Sequence, residues 1–276
     1  MTLSLSNVQE TMLLIRLLED KLQELALQGN GADWHFSKGQ EAVSVGVCAA
    51  LRDTDYVATH HRSIAHAVAK GVPLRPLLKE LLTGVAGEMH MSFPEQRFMF
   101  SWQLVGTCIP VAVGMAWAVK DYLKTDDVVV VFHGDAATAN GQWHEGMNLA
   151  AVQRVTLLLV CENNHMAGNV RPKDYLPTAS VMERADGYGI SAAQVDGNDV
   201  ELVMEVARRA IAYVRREQRP FLLDCDTTRL GRHKQGMGDL RSREEMAALA
   251  LRDPLREAIF APGVREELQA EIDKIL

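Results

Sequence analysis

The chain has 276 residues, 47% of them apolar, so it can bury a sizeable core and lies near the upper size for one domain. Its net charge of −7 comes from interspersed acidic and basic residues, which excludes the basic stripe that nucleic-acid-binding proteins use. No apolar run approaches the roughly 20 residues needed to span a bilayer, and no basic region followed by an apolar run opens the chain. We therefore expect one domain over residues 1–276 that is soluble, cytoplasmic and acts on small molecules, without a nucleic-acid or membrane partner.

The cysteines indicate a reducing compartment. Each stands singly in an apolar stretch, without the paired spacing of a zinc site or a secreted disulfide framework. We expect core thiols at Cys48, Cys108, Cys161 and Cys225.

The first 55 residues are mainly helical by pattern. Apolar residues recur at helical spacing from Asn7 to Gln28, with Ser6 and Gln9 as a possible capping box and Gly29 as a stop. An Ala- and Val-rich stretch from Gly39 to Leu51 predicts a second helix. A short strand, Tyr56–Thr59, then leads into His60-His61-Arg62.

From residue 109 onward, helical and strand patterns alternate. The predicted helices are Ile109–Lys124, Gly141–Gln153, Val181–Tyr188 and Val200–Arg216, and the predicted strands are Val128–Phe132, Val155–Cys161, Ala192–Val195 and Phe221–Cys225. Such alternation predicts an α/β fold, a parallel sheet with helices on both faces, in which ligands bind at the carboxyl ends of strands. An amphipathic helix, 263–276, ends the chain and is expected to pack on the body or on a partner.

Two long segments have no predicted structure of their own. They run from Asn163 to Ala179 and from Arg229 to Arg243. Loops of this length in a compact domain are usually functional or mobile. The second contains three glycines and five basic residues, and we expect mutual repulsion to disorder it when no anion is bound.

Polar side chains follow two consecutive predicted strands. Gly134-Asp135-Ala136 comes just after the first, and Glu162-Asn163-Asn164 after the second. A strand–helix–strand crossover brings both strand ends together, so the oxygens of Asp135 and Asn164 can hold one magnesium ion. Backbone N–H groups in the loop and helix start after Asp135 can meet phosphates at the same place.

This arrangement resembles the thiamine-diphosphate signature, in which a Gly-Asp-Gly triplet is followed later in the chain by Asn-Asn. Further motifs occur in the same order as in the alpha subunits of thiamine-diphosphate-dependent 2-oxo acid dehydrogenases. The segment His35 to Ala42 is similar to their His-x-x-x-Gly-Gln-Glu-Ala motif, and Val105 to Pro110 to the turn that meets the aminopyrimidine ring. The family's Tyr-Arg pair aligns with His61-Arg62, its mobile histidine loop with Gly231-Arg232-His233, and another recurrent segment with Val195 to Asp199.

The resemblance implies a thiamine-diphosphate-binding fold and a role for each matching residue. It implies that His35 and His233 are catalytic, and that Asp135, Asn164 and Met166 hold magnesium. It further implies that the cofactor contacts His61, Arg62, Gln103, Val105, Gly134, Asp135, Ala136, Ala137, Asn164 and Met166. Arginine suits a diphosphate because its donors form a fixed fork.

Each assignment has a structural alternative. Asp135 alone can be a turn residue, Arg62 a surface ion-pair partner, His35 a core histidine and His233 an exposed loop histidine. Four histidines, His60, His61, His66 and His90, do not have a convincing metal-ligand spacing, and they are expected to be mostly structural, with His61 as a possible part of the cofactor shell. An apolar cluster of Met89, Met91, Met99 and Trp102 fits either a substrate pocket or the core.

Several positions depart from the family pattern. Ala136 replaces a glycine, which would cost about 1 kcal/mol if the backbone needed a left-handed conformation. His61 replaces a tyrosine and Gln103 a glycine, which predicts an unusual pocket. The run between Leu82 and Met89 is shorter than in typical relatives, which predicts a reshaped loop.

The resemblance implies one half of an enzyme. Such an alpha subunit works with a beta subunit, in an assembly expected to be alpha2-beta2, to decarboxylate a 2-oxo acid and pass the acyl group to a lipoyl acyltransferase. One alternative keeps the cofactor chemistry as a split transketolase-like carboligase or a decarboxylase without a lipoyl partner. The other is a catalytically degenerate scaffold, against which Asp135, Asn164 and Arg62 together argue.

Overall fold

A computed structural model describes residues 5–29, 34–83, 87–178, 180–234 and 236–276. Its centre is a six-stranded sheet with the order β2-β1-β3-β4-β6-β5, and every neighbouring pair is parallel. The strands are β1 (Tyr56–His60), β2 (Phe98–Trp102), β3 (Val129–Gly134), β4 (Leu157–Asn163), β5 (Ser191–Asp196) and β6 (Phe221–Asp226). The parallel sheet predicted from the sequence is therefore confirmed.

Ten α-helices occur among the described residues. They are α1 (Leu5–Leu27), α2 (Glu41–Ala49), α3 (Ile64–Ala69), α4 (Leu74–Thr83), α5 (Cys108–Trp117), α6 (Gly141–Gln153), α7 (Met182–Ala185), α8 (Val200–Glu217), α9 (Arg243–Ala250) and α10 (Val264–Ile275). None of the helices in these ranges is long and apolar enough to cross a membrane.

The sheet separates two apolar cores, which explains why its central strands are apolar along their whole length. In β3, Val130 and Phe132 face the core that contains α1, α2 and α8, whereas Val129 and Val131 face the core that contains α5 and α6. Alternation of side chains along a strand produces this division. The predicted placement of helices on both faces is confirmed, and all four cysteines are buried free thiols.

The register of the central strands positions the polar residues that follow them. Gly134 of β3 lies beside Glu162 of β4, and Asn163 of β4 lies beside Asp226 of β6. The residues that directly follow these strands, Asp135 and Asn164, therefore emerge next to each other at the carboxyl edge.

Some predicted boundaries are wrong for identifiable reasons. The first helix already includes Leu5, so Ser6 lies inside the helix and not before its first residue. The predicted helix Ile109–Lys124 changes after Trp117 into a π-helical segment, Ala118–Leu123, which ends at Lys124 with φ 55°. The predicted helix Val181–Tyr188 is a short α7 followed by a 3₁₀ turn, Asp186–Tyr188.

Several elements between residues 64 and 102 were not predicted from the sequence. They include α3, α4 and the edge strand β2. The predicted reshaping of the loop between Leu82 and Met89 falls mainly on residues 84–86, which lie outside the described residues.

The two ends of the chain pack together. Ile272 of α10 is fully buried in the core, and Lys21 of α1 forms an ion pair with Asp273 at 3.7 Å. The expected packing of the last helix on the body is confirmed.

Candidate active site

A cavity of about 490 Å³ opens where β1, β3 and β4 end. Parallel sheets bind ligands at this edge because the loops that follow their strands diverge there. All the candidate residues from the sequence line this one cavity: His35, His61, Arg62, Gln103, Val105, Gly134, Asp135, Ala136, Ala137, Asn164, Met166 and His233.

A second cavity, of about 530 Å³, lies between α1 and the 231–236 segment. Its lining includes Lys38 and Asp20, whose ammonium and carboxylate groups already pair at 2.7 Å. We assign the candidate site to the strand-end cavity because all the candidate residues line it.

Asp135 is the most buried carboxylate in the site, at 1% exposure. One of its oxygens, Oδ2, accepts a hydrogen bond from the hydroxyl of Tyr175. Burial raises the pKa of Asp135 above its usual value, although the Tyr175 bond opposes the shift. A bound cation would favour the ionised carboxylate that burial disfavours.

Ala136 follows Asp135 without backbone strain. It lies in a 3₁₀ turn, Asp135–Ala139, and is not among the residues with positive φ. The free-energy cost of about 1 kcal/mol that a left-handed alanine would carry is therefore absent at this position. Helix α6 begins only at Gly141, where the side chain of Asn140 accepts from the N–H of Gln142 at 2.9 Å. The predicted helix Gly141–Gln153 is therefore confirmed, and a 3₁₀ turn connects Asp135 to it.

Asn164 is held by the Gly-Gln-Glu-Ala segment. Its Nδ2 donates to Oε1 of Gln40 at 2.7 Å, and its Oδ1 accepts from the backbone N–H of Met166 at 3.2 Å. The intervening His165 has φ 57° and is anchored through Nε2 to Asp226 at 2.8 Å. These bonds fix the amide oxygen at the carboxyl edge beside Asp135.

Two buried arginines bring positive charge into the cavity. Arg62 donates to the carbonyls of Phe36 and His233, and Arg229 donates to the carbonyl of Gly168 at 2.8 Å. Neither forms an ion pair within the described part of the chain, and Nε of Arg229 has no partner there. Burial lowers the pKa of Arg62, and burial together with Arg62 and Arg241 lowers the pKa of Arg229 to about 9. Both groups would be stabilised by an anionic ligand.

Three histidine rings converge beside Arg62. The centroid of His35 lies 4.7 Å from that of His61 and 5.1 Å from that of His233. Nδ1 of His35 is 2.7 Å from Oε1 of Glu88, whose carboxylate also accepts from the His35 backbone N–H. Burial, and then the neighbouring His60 and Arg62, lower the pKa of His61, so its ring is neutral.

Three other histidines, His60, His66 and His90, contact groups within the protein, and their structural role stays a prediction because His60 also lines the cavity. Nε2 of His60 and Nε2 of His66 lie 2.7 and 3.2 Å from the carboxylate oxygens of Glu162. Burial opposes ionisation of Glu162, but the two rings outweigh it and hold its pKa below the usual value. His90 packs edge-on against Trp102 with the ring centroids 5.7 Å apart.

The apolar cluster of Met89, Met91, Met99 and Trp102 belongs partly to the cavity and partly to the core. Met89 lines the cavity, whereas Met91 is buried in the core at 1% exposure. Met99 and Trp102 pack against the core on the side of α5.

Three contributors were missed by sequence reasoning. Arg229 was seen only as one of several loop charges, and Gln40 only as part of a motif. No sequence pattern pointed to Glu88, because its contact with His35 joins residues 53 positions apart in the chain.

The chain is similar to known proteins along most of its length. A family model described as dehydrogenase E1 component matches residues 9–271. The chain is 35% identical to pyruvate dehydrogenase E1 component subunit alpha-3, chloroplastic, from Arabidopsis thaliana, over 89% of the chain and 61% of that protein. It is 37% identical to the alpha subunit of acetoin:2,6-dichlorophenolindophenol oxidoreductase from Bacillus subtilis, over 82% and 70%. It is 33% identical to pyruvate dehydrogenase E1 component subunit alpha from Porphyra purpurea, over 90% and 76%. The chain thus spans less than two thirds of the Arabidopsis relative's length.

Proposed function

The chain belongs to the dehydrogenase E1 component family, and we propose that it is the alpha subunit of a heteromeric thiamine-diphosphate-dependent enzyme that decarboxylates a 2-oxo acid. The observation that carries the proposal is the strand-end cavity, where Asp135 and Asn164 meet two buried arginines. The names of the pyruvate dehydrogenase relatives support this substrate class, and the name of the acetoin oxidoreductase relative supports the role of an alpha subunit.

The residues present fit thiamine diphosphate and magnesium. The carboxylate of Asp135, the amide oxygen of Asn164 and the carbonyl of Met166 form an oxygen-rich donor set of the kind that magnesium takes together with phosphate. Nε of Arg229 is buried without a partner among the described residues, and Arg62 bonds only carbonyls there. A diphosphate would give both guanidinium groups an anionic partner in addition to these carbonyl contacts.

The other lining residues have roles set by their positions. Gly134, Ala136 and Ala137 bring backbone close to the phosphates, while Gln103 and Val105 lie at the side proposed for the aminopyrimidine ring. When bound, thiamine diphosphate supplies the electron sink for decarboxylation.

His35 and His233 are proposed as the proton-handling and phosphate-contacting groups. Glu88 holds Nδ1–H of His35, which leaves Nε2 as the basic atom that exchanges a proton with the substrate. His61 stays neutral beside them and contacts the cofactor. His233 reaches the cavity from the 229–243 segment, so its position depends on how that segment folds.

A beta subunit is proposed as the partner that completes the site, in an alpha2-beta2 assembly. The cavity rim supports this, because Leu104 and Val105 are 61% and 40% exposed beside it. Exposed apolar side chains at a site edge are typical of an interface. Transfer of the acyl group to a lipoyl acyltransferase is the proposed final step.

The proposal is tested by co-expressing the chain with a beta subunit of the same enzyme family. Calorimetry measures thiamine diphosphate binding with and without magnesium, and a panel of 2-oxo acids is screened for decarboxylation. We expect Asp135→Asn to abolish magnesium-dependent binding, because the metal bridge to the diphosphate is lost. The control, Asp53→Asn, makes the same change in an exposed residue before β1 and should bind normally.

Two results would contradict the proposal. Cofactor affinity unchanged by Asp135→Asn would remove the metal assignment. Normal cofactor binding without turnover on any 2-oxo acid would favour the scaffold alternative, and carbon dioxide release with no acyl transfer to lipoamide would favour the carboligase or simple decarboxylase.

A further inference from the structure

Two groups of side chains in the described ranges could hold a metal ion. Only one of them, the cluster of His35, His61 and His233, is partly exposed to solvent. One ring nitrogen from each residue lies within 4.8 Å of the others. The rings come from three separate segments: the residues before α2, those after β1, and the 229–243 segment. The other such group, His60, His66 and Glu162, is fully buried and internally hydrogen-bonded.

We propose that His35, His61 and His233 form a binding site for zinc or a similar borderline divalent cation, and that its occupation closes the mouth of the cavity. Zinc takes imidazole nitrogens at about 2.0–2.1 Å, which in a tetrahedral site places the nitrogens about 3.3 Å apart. The observed nitrogens thus need to approach one another by only about 1.5 Å or less.

Ring orientation supports this assignment. The planes of the three rings are inclined at 70° to 73° to one another, so they converge edge-on and do not stack. The carboxylate of Glu88 binds Nδ1 of His35 at 2.7 Å, the carboxylate–histidine arrangement that commonly orients metal-binding imidazoles. With the proton held on Nδ1, the lone pair of His35 is on Nε2.

Charged groups around the cluster act in opposite directions. Arg62, Arg229 and Lys234 line the same cavity and oppose a cation, whereas the carboxylate of Glu88 beside His35 offsets part of that charge. A fourth coordination position would face the cavity, where water can occupy it.

This site differs in chemistry from the oxygen ligands proposed for magnesium. Three imidazoles favour zinc, copper, nickel or cobalt, whereas magnesium prefers carboxylate, carbonyl and phosphate oxygens. A cation on the histidines would tie the segment that carries His233 to His35 and His61. Zinc would then hinder entry to the cavity. The proposal does not depend on the proposed enzyme function, because metal binding is measured directly.

The test uses the full chain after treatment with a chelator, without thiamine diphosphate. Zinc is titrated in excess magnesium and followed by calorimetry, and cobalt is titrated and followed by its visible absorption. We expect one equivalent of zinc to bind, and magnesium not to displace it. Loss of a ligand in His61→Phe or His233→Ala should weaken binding by about 100-fold or more, and Glu88→Gln by about tenfold.

His90→Ala is the matched control, since His90 is an exposed histidine outside the cluster. It should bind zinc like the unchanged chain, and thermal melting confirms that each variant is folded. If His61→Phe does not fold, His233→Ala still tests the site, because His233 lies on a surface segment where the substitution should not prevent folding. Zinc affinity that survives both cluster substitutions, or that is lost in His66→Ala instead, would overturn the proposal.

Discussion

The hydroxyl of Tyr175 donates a hydrogen bond to Oδ2 of Asp135, and so joins the 163–179 segment to the carboxyl end of β3. Burial, followed by the charge of Asp135, raises the pKa of Tyr175, so the phenol remains a donor. The bond orients the carboxylate and leaves Oδ1 for another ligand. We infer that Tyr175 positions the proposed metal ligand.

Replacing this phenol should weaken the cofactor site. We expect Tyr175→Phe to reduce magnesium-dependent binding of thiamine diphosphate about tenfold, which corresponds to about 1.4 kcal/mol, because a hydrogen bond to a charged group is lost. Calorimetry on the assembled enzyme measures the change. Tyr213→Phe is the control, since its hydroxyl contacts Ser191 on the edge strand at 2.9 Å. Tighter binding in Tyr175→Phe would instead show that the phenol competes with the metal.

Breaking a buried ion pair between α1 and α2 should destabilise the protein far more than breaking an exposed one. Nε of Arg16 lies 2.5 Å from Glu41, which is fully buried, and its other nitrogens bind Asp253. Arg16→Ala leaves the Glu41 charge buried and should lower the free energy of unfolding by about 3–5 kcal/mol. Arg52 pairs with Asp126 in solvent, so Arg52→Ala should cost less than about 1 kcal/mol. Urea unfolding measures both, and equal losses would contradict this account.

The Gly39 backbone is predicted to tolerate no side chain. Its φ is +94°, and an added Cβ would lie 2.3 Å from the carbonyl oxygen of Thr228. Gly71 has a similar φ of +88° but open space around it. Gly71→Ala should therefore cost about 1–2 kcal/mol of unfolding free energy through backbone strain alone, and Gly39→Ala clearly more. Similar values for the two variants would show that the chain near Thr228 moves aside freely.

Glu19 should make stability depend on pH. Burial and the nearby Glu41 raise the pKa of Glu19 to about 8 from 4.5, although Ser37 donates to its carboxylate. Because the folded state favours the protonated form, this contribution to stability is complete below about pH 4.5 and is lost as the pH rises through 8.

The measurement compares the chain with Glu19→Gln by urea unfolding at pH 6 and pH 9. The chain should lose more than about 1 kcal/mol relative to the variant over this interval. Comparing the two pH values removes any constant effect of the substitution. A stability difference that does not change with pH would rule out titration of Glu19.

The 229–243 segment is expected to become ordered around the cofactor. Arg232 and Lys234 are exposed, whereas Arg241 is 8% exposed and binds the carbonyls of Arg229 and Gly231. Thiamine diphosphate with magnesium should slow tryptic cleavage after the exposed residues, because it neutralises the nearby arginines.

Arg241→Ala should accelerate that cleavage in the absence of cofactor, since it removes the bonds that hold the segment. Arg265→Ala, a change on the exposed face of α10, serves as the control. Cleavage at one rate in all samples would show that neither the cofactor nor Arg241 orders this segment.

The sequence by itself determined the alternating helices and strands, because apolar periodicity reflects burial on one or both faces. It also located Asp135 and Asn164, since consecutive parallel strands must end side by side. Those inferences use only local pattern and a general topology rule. Arg62, His35 and His233 came from the resemblance, and all of them line the cavity.

Only the tertiary structure decided which distant groups meet. Glu88 orients His35 across 53 residues, Tyr175 reaches Asp135 across 40, and Gln40 holds Asn164 across 124. No periodicity encodes such contacts, because they depend on where loops return after crossing the sheet. The same reason explains Arg229 and Arg241, whose like charges predicted repulsion. Arg229 donates to the carbonyl of Gly168, whereas Arg241 donates to the carbonyls of Arg229 and Gly231 and pairs with Asp239, and the sequence pattern reveals none of these contacts.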